Sequence, residues 1–345
     1  MKYIFEKIYL DRVAQEDPLT GKILSNFKGF DIEVVNNRKV IKDFVLKNYE
    51  DPTGGGKKIL FLTHNKGSKI KDCPCSKGSV SCGYYIVNFQ TGCPIDCSYC
   101  ILQSYLNNPF ISIYTNTNDY LNELKSFLES KKGISLRIGT GELTDSLALD
   151  DLTGLSSDLI ELFRDYPNAK LELKTKSSNI ENLLKIKPPQ NIVVAWSLNP
   201  QKVIDSDEIG SESFENRLES AKMCEDMGYK LAFHFDPIVL FDGWEEEYKS
   251  TVEKLFDKVN HKNIEWISLG ALRFDPSLKP IMMDRHLKSK LITEEFILGS
   301  DNKLRYLRKD RFEIFQFMTN LIKSYSKNLF IYLCMESKEI FTSII

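Results

Sequence analysis

From Tyr84 onward, apolar and β-branched residues come in short runs separated by segments of helical period. The runs are YYIVNF (84–89), SLRIGT (135–140), KLELKTK (170–176), NIVVAWSL (191–198), KLAFHFDPI (230–238) and IEWISLGALRF (264–274). Each reads as a strand. Of the intervening segments, SFENRLESAKMCEDMG (213–228) repeats Phe214, Leu218, Ala221 and Met227 at helical spacing, with Gly228 where a C-cap glycine belongs. Strand–helix alternation of this kind predicts an α/β fold of parallel strands with right-handed crossovers, as an open sheet or a barrel. In both arrangements the active site lies at the C-terminal ends of the strands.

Residues before Tyr84 lack this regularity. KKILFLTH (57–64) reads as a strand, and DPTGGGKK (51–58) reads as a flexible turn, because its spacing and lack of Ser or Thr do not fit a phosphate-binding loop. The expected organisation is an N-terminal extension (1–82) with a cysteine-rich segment, a core (83–275), and a C-terminal extension (276–345) holding a basic and aromatic turn, a helix and a strand.

With 345 residues, 42% of them hydrophobic, the chain can bury a large core, which excludes a disordered protein. A formal net charge of −2 excludes whole-molecule attraction to nucleic acid, so any such contact needs a local basic patch. The N-terminus lacks the apolar stretch of a signal peptide, and charges interrupt every long apolar run. A cytoplasmic protein with no membrane partner is expected. In that reducing compartment the eight cysteines read as ligands, reactive thiols or core residues.

Three of them lie in GCPIDCSYC (92–100), directly after the first strand. Cys93, Cys97 and Cys100 have C-x3-C-x2-C spacing, which lets one loop present three thiolates to a [4Fe–4S] cluster. A cluster that only shuttles electrons takes four ligands. With three, one iron stays open for a substrate or cofactor, as an open coordination position marks catalytic zinc. The alternative is a zinc knuckle or another non-catalytic metal protein, but the closest histidine in the sequence is His64.

C-x3-C-x2-C with an aromatic residue, Tyr99, before the last cysteine resembles the signature of radical S-adenosylmethionine enzymes. GCPIDCSYCILQSYLNNPFISIYTN, LDDLT, FENRL, GYKLAFHFDPI and DGWEEEY follow in an order similar to the spore photoproduct lyase family, across roughly residues 84–275. The resemblance implies a partial (β/α)6, TIM-like barrel with N- and C-terminal extensions. It implies a [4Fe–4S] cluster on Cys93, Cys97 and Cys100, cleavage of S-adenosylmethionine to a 5′-deoxyadenosyl radical, and a damaged or modified DNA substrate. An electron donor such as flavodoxin or ferredoxin is implied as a partner. Radical chemistry on a peptide or small molecule is the alternative.

By the same resemblance, Gly141 and Glu142 of GTGE (139–142) hold the cofactor's methionine ammonium, against a reading of Glu142 as a solvated turn residue. Lys176, Ser197 and Asn199 match contacts to the cofactor's carboxylate and ribose, and Tyr99 is expected near the adenine. Lys174 shares the face of Lys176. Asp236 and Arg273 end the fifth and sixth strands, as active-site groups or as an ion pair across the mouth; His234 either joins them or is a core histidine.

The chain departs from the family pattern at two places. Glu142 stands close to where the family has a hydrogen-donating cysteine, and Ile101 stands where it tends to have a tyrosine. Cys73, Cys75 and Cys82 are therefore candidate hydrogen donors. Alternatively they bind a second metal or cluster, which Cys334 would complete; otherwise Cys334 reads as a free buried cysteine, and Cys224 as core. In DNKLRYLRKDRF (301–312), Lys303, Arg305, Arg308, Lys309 and Arg311 interleave with Leu304, Tyr306 and Phe312. That pattern reads as a nucleic-acid contact or as a solvated turn.

Overall fold

The computed structural model describes residues 5–74, 80 and 83–345. The six apolar runs form the first to sixth barrel strands: Tyr84–Val87, Leu136–Gly139, Ala169–Thr175, Ile192–Ser197, Lys230–Ile238 and Ile264–Ala271. They pair in parallel and in sequence order. Ile331–Leu333 adds a seventh parallel strand beside the sixth, and Ile70–Asp72 adds an antiparallel edge beside the first. The sheet curls: Arg137 on the second strand donates to the Tyr332 hydroxyl on the seventh at 2.7 Å, although four strands lie between them in the hydrogen-bonded order.

A polar plug fills the curl below the C-terminal strand ends. The Arg137 guanidinium lies 4.0 Å from the Trp266 ring centroid and bonds Glu172 at 3.0 Å. His234 Nε2 meets the other Glu172 oxygen at 2.6 Å. Burial opposes charge on Glu172, but Arg137 and His234 outweigh it and hold the carboxyl well below the usual range. His234 is thus a satisfied core histidine. A Cβ on residue 139 would sit 1.5 Å from the Tyr84 hydroxyl, which is why the second strand ends in glycine.

Helices cover the outer face. Phe214–Asp226 buries Phe214, Leu218, Ala221 and Cys224 as its period predicts, together with Arg217. Met227 is exposed and falls outside that stripe. Gly228 takes φ +95°, the left-handed conformation expected of a helix-ending glycine.

The described residues before Tyr84 are not irregular. Ile32–Val35, Lys7–Asp11, Ile59–Thr63 and Ile111–Tyr114 form a second parallel sheet in that spatial order, edged by antiparallel Gln90–Thr91. Its alternate residues feed two cores. Ile8, Leu10, Leu60 and Leu62 meet the helix Pro18–Leu24 on one face; Tyr9, Ile59 and Phe61 meet the helix Arg38–Asn48 on the other. Leu149 and Leu152 join the first of these cores, so the small sheet docks on the barrel. It also crosses the expected boundary at 82, since two of its strands come from the core segment. No helix among the described residues is long and apolar enough to cross a membrane.

Candidate active site

The loop after the first barrel strand brings Cys93, Cys97 and Cys100 to a cavity of about 310 Å³ at the C-terminal strand ends. Gly141, Glu142, Lys176 and Ser197 line the same cavity, as do Lys174, Asp236 and Arg273. Anchors from three directions hold the loop. Asp96–Cys97 pairs with Glu208–Ile209, Ser98 Oγ donates to Asp207 at 2.6 Å, and Gln103 donates to the carbonyls of Cys97 and Ser98. Arg285 bonds Asp96 at 2.9 Å and Asp51 at 2.8 Å. Lys57 Nζ donates to the carbonyls of Cys93 and Ile95 at 2.8 and 2.9 Å.

That lysine belongs to DPTGGGKK, which is an ordered helical turn rather than a flexible one. Asp51 accepts from the amides of Thr53 and Gly54, and a Cβ at Gly56 would lie 2.2 Å from the Pro109 carbonyl. The glycines permit this close approach, and the approach brings Lys57 to the cysteine loop.

Burial pushes the Cys93 thiol up to about 12 and raises Cys97 and Cys100 as well, so at neutral pH the bare thiols keep their protons. A bound metal reverses this, because its charge stabilises thiolate. Among the described residues, no three His, Cys, Asp or Glu side chains gather closely enough for a single metal ion. Three thiols lining one cavity from separate points of a loop, Cys97 buried and Cys93 and Cys100 partly buried, instead suit a cluster, in which each thiolate takes a different iron.

Behind the cysteines lies a buried hub that the sequence reading missed. Glu208 accepts from the Tyr99 hydroxyl, from Lys176 Nζ at 3.0 Å, from Asn199 Nδ2 at 2.9 Å and from Arg217 Nη2 at 2.6 Å. Burial opposes its ionisation, but the charges of Lys176 and Arg217 outweigh that and hold it well below the usual carboxylate range. Lys176 thus reaches the cavity with its charge already paired. Asn199 is fully buried, bonded to Glu208 and Tyr248, and is not part of the cavity wall. Its expected contact to the cofactor's ribose is corrected to a supporting role. A signal was available in FENRL: Arg217 sits on the apolar stripe of its helix, and a buried arginine needs a buried acid.

Asp145 was also missed. It accepts from the amides of Leu147, Ala148 and Lys176 and from the Thr175 hydroxyl, tying the loop after the second strand to the end of the third. Gly141 is needed there because a Cβ would lie 2.9 Å from Ser146 Oγ. Among the described residues Glu142 accepts from Asn88 at 3.2 Å, and it lines the cavity. Asp236 and Arg273 are an ion pair at 2.9 Å at its edge.

The sequence matches the family model described as "Spore photoproduct lyase" over residues 3–330. The chain belongs to the spore photoproduct lyase family. It is 25% identical over 333 residues to the spore photoproduct lyase of Clostridium acetobutylicum, covering 94% of this chain and 97% of that one. To the Bacillus subtilis enzyme it is 26% identical over 298 residues, 85% of each chain. A solved spore photoproduct lyase variant with bound AdoMet and dinucleoside spore photoproduct superposes with a TM-score of 0.85 at 21% identity, covering 98% of this chain and 100% of that one.

Within this family fold, the residues at the two departures line the cavity: Glu142, and Ile101, which is 42% exposed. Of the candidate donor thiols, Cys73 follows the antiparallel edge strand, and its amide bonds the Tyr84 carbonyl. That is the N-terminal end of the first barrel strand, opposite the end bearing the cysteine loop. Cys75 and Cys82 lie outside the described residues. Cys334 ends the seventh strand, with Arg273 Nη2 3.5 Å from its sulfur; burial pushes its thiol up to about 12. Cys224 is core, as expected.

Most of the basic segment 301–312 is committed inward. Tyr306 is fully buried, Arg305 pairs with Asp301 and Arg311 with Glu336. Arg308 and Lys309 stay exposed, each beside a glutamate. Tyr306 is therefore packed inward and is not presented to a nucleic acid.

Proposed function

We propose that this chain is a radical S-adenosylmethionine enzyme of the lyase type, with Cys93, Cys97 and Cys100 holding a [4Fe–4S] cluster, and that its substrate is a DNA photolesion of the spore photoproduct kind. The observation that carries this reading is the set of three thiols lining the same cavity as Glu142 and the strand-end lysines, in a chain of this family. When bound, the cluster and S-adenosylmethionine supply a carbon radical able to abstract hydrogen. The chain's own residues bind, orient and exclude water. Glu142 takes the cofactor's ammonium, Ser197 and the Lys176–Glu208 pair shape its seat, and Lys57 with Arg285 keeps the cysteine loop in place. Cys93 and Cys100 also border a cleft beside Lys42 and Lys57, which gives an electron donor such as flavodoxin or ferredoxin an approach. Incubating the reconstituted protein with cofactor, reductant and ultraviolet-irradiated spore-type DNA tests the reading; cofactor cleavage with no change in lesion content would return the substrate to a peptide or small molecule.

Glu142→Ala is expected to weaken cofactor binding tenfold to a hundredfold while iron content stays normal. A charge-assisted hydrogen bond contributes about 1.5–3 kcal/mol, and the cluster does not depend on it. Calorimetric titration with S-adenosylmethionine checks this, and unchanged affinity restores Glu142 to a solvated turn residue.

Because Cys73 sits at the opposite strand end and serves as the control, the hydrogen returned to the product comes, in this reading, from Cys75 or Cys82. One of these, changed singly to alanine, is expected to leave cofactor cleavage intact and stall product formation, measured by chromatography of digested DNA. Wild-type product from both variants removes the donor from this segment. Loss of iron beyond one cluster would instead identify a second metal.

A further inference from the structure

One corner of the cavity carries more positive charge than the fold neutralises. Arg273 gives both terminal nitrogens to Asp236, at 2.9 and 3.2 Å, and points Nε at Met335 Sδ at 3.4 Å. Lys303, in the hairpin turn before Leu304–Arg305, directs Nζ at the same sulfur at 3.7 Å. A thioether is a weak acceptor and carries no counter-charge. Lys174, near the end of the third strand, lines the same cavity. Among the described residues, neither lysine forms an ion pair with a carboxylate, while Arg273 is paired with Asp236. Nearby Asp301 is taken by Arg305.

We propose that Lys303, Lys174 and Arg273 form an anion subsite that takes the phosphodiester of a dinucleotide substrate, which rests on the reading of this chain as a DNA-lesion enzyme. Two ammonium groups that line one cavity without a carboxylate partner among the described residues call for acceptors, and a phosphate supplies both the charge and the oxygens. Burial and the neighbouring Arg273 hold the Lys303 ammonium below its usual range, which an incoming anion would reverse. The subsite also gives the basic segment 301–312 a defined role. The residue that serves the substrate is Lys303, which faces the cavity, while Arg305, Tyr306 and Arg311 pack the hairpin that carries it.

The test uses two probes with the reconstituted protein: the spore photoproduct of thymidylyl-thymidine with its natural phosphodiester, and its uncharged methylphosphonate counterpart. The wild type is expected to bind the phosphodiester tenfold to a hundredfold more tightly, with a preference that shrinks as salt rises. Lys303→Met is expected to lose most of that preference while binding the methylphosphonate and S-adenosylmethionine like the wild type. Lys303→Arg is expected to keep it. The wild-type comparison and its salt dependence need no variant, so a misfolded Lys303→Met leaves the test intact. Equal binding of both probes overturns the subsite and leaves the lesion reading standing. Binding of neither, by protein that still binds S-adenosylmethionine, overturns both.

Discussion

Cys97→Ala protein, reconstituted anaerobically with iron and sulfide, is expected to form no 5′-deoxyadenosine, and Cys93→Ala and Cys100→Ala are expected to behave alike. Each thiol faces the same cavity, and Cys97 is the most buried of the three. Losing one thiolate leaves an iron without its protein anchor. The loop itself should stay folded, because its anchors are Lys57, Asp207, Arg285 and the strand pair with Glu208–Ile209, none of which involves a thiol. Circular dichroism should therefore match the wild type while iron content and cofactor cleavage fall away. A variant that keeps full iron, brown colour and normal cleavage would end the assignment of these cysteines.

The second large effect is on stability. Glu208→Ala removes the acid shared by Tyr99, Lys176, Asn199 and Arg217, and leaves the fully buried Arg217 guanidinium without a counter-charge. Breaking a buried pair from one side costs about 3–5 kcal/mol, a large part of the roughly 5–15 kcal/mol that holds a typical protein folded. The midpoint of thermal unfolding should fall by on the order of ten degrees. Glu208→Gln combined with Arg217→Met should recover part of the loss, since it removes the fully buried guanidinium together with its acid and leaves only Lys176, which borders the cavity, without its counter-charge. A Glu208→Ala protein that melts like the wild type would show that the hub does not hold the cysteine loop's surroundings together.

The barrel was legible because its strands are buried on both faces. NIVVAWSL and KLAFHFDPI read as strands without knowledge of their neighbours, and they pair where the order of the runs places them. Of the small N-terminal sheet, Ile59–Thr63 was legible in KKILFLTH and the rest was not. Ile32–Val35 is half exposed, Lys7–Asp11 is short, and their partner Ile111–Tyr114 comes from beyond the cysteine loop. The seventh barrel strand is three residues long and lies far along the chain from its site. In the site, the cysteine spacing was readable because the chemistry dictates it. Glu208 and Asp145 were not, since an acid in DSDEIG or GELTDS looks solvated until the fold surrounds it with donors. Asn199 was misread for the opposite reason: a polar residue just past a strand end looks free for a ligand, and here Glu208 and Tyr248 take its side chain inside the fold.

The most direct test of the whole account is the thymine recovered from DNA carrying spore photoproduct, quantified by mass spectrometry after anaerobic incubation with the reconstituted protein, S-adenosylmethionine and dithionite. The account predicts lesion loss matched by thymine gain, dependent on the cofactor and abolished in the Cys97→Ala protein. Formation of 5′-deoxyadenosine at full rate with the lesion left intact would contradict it.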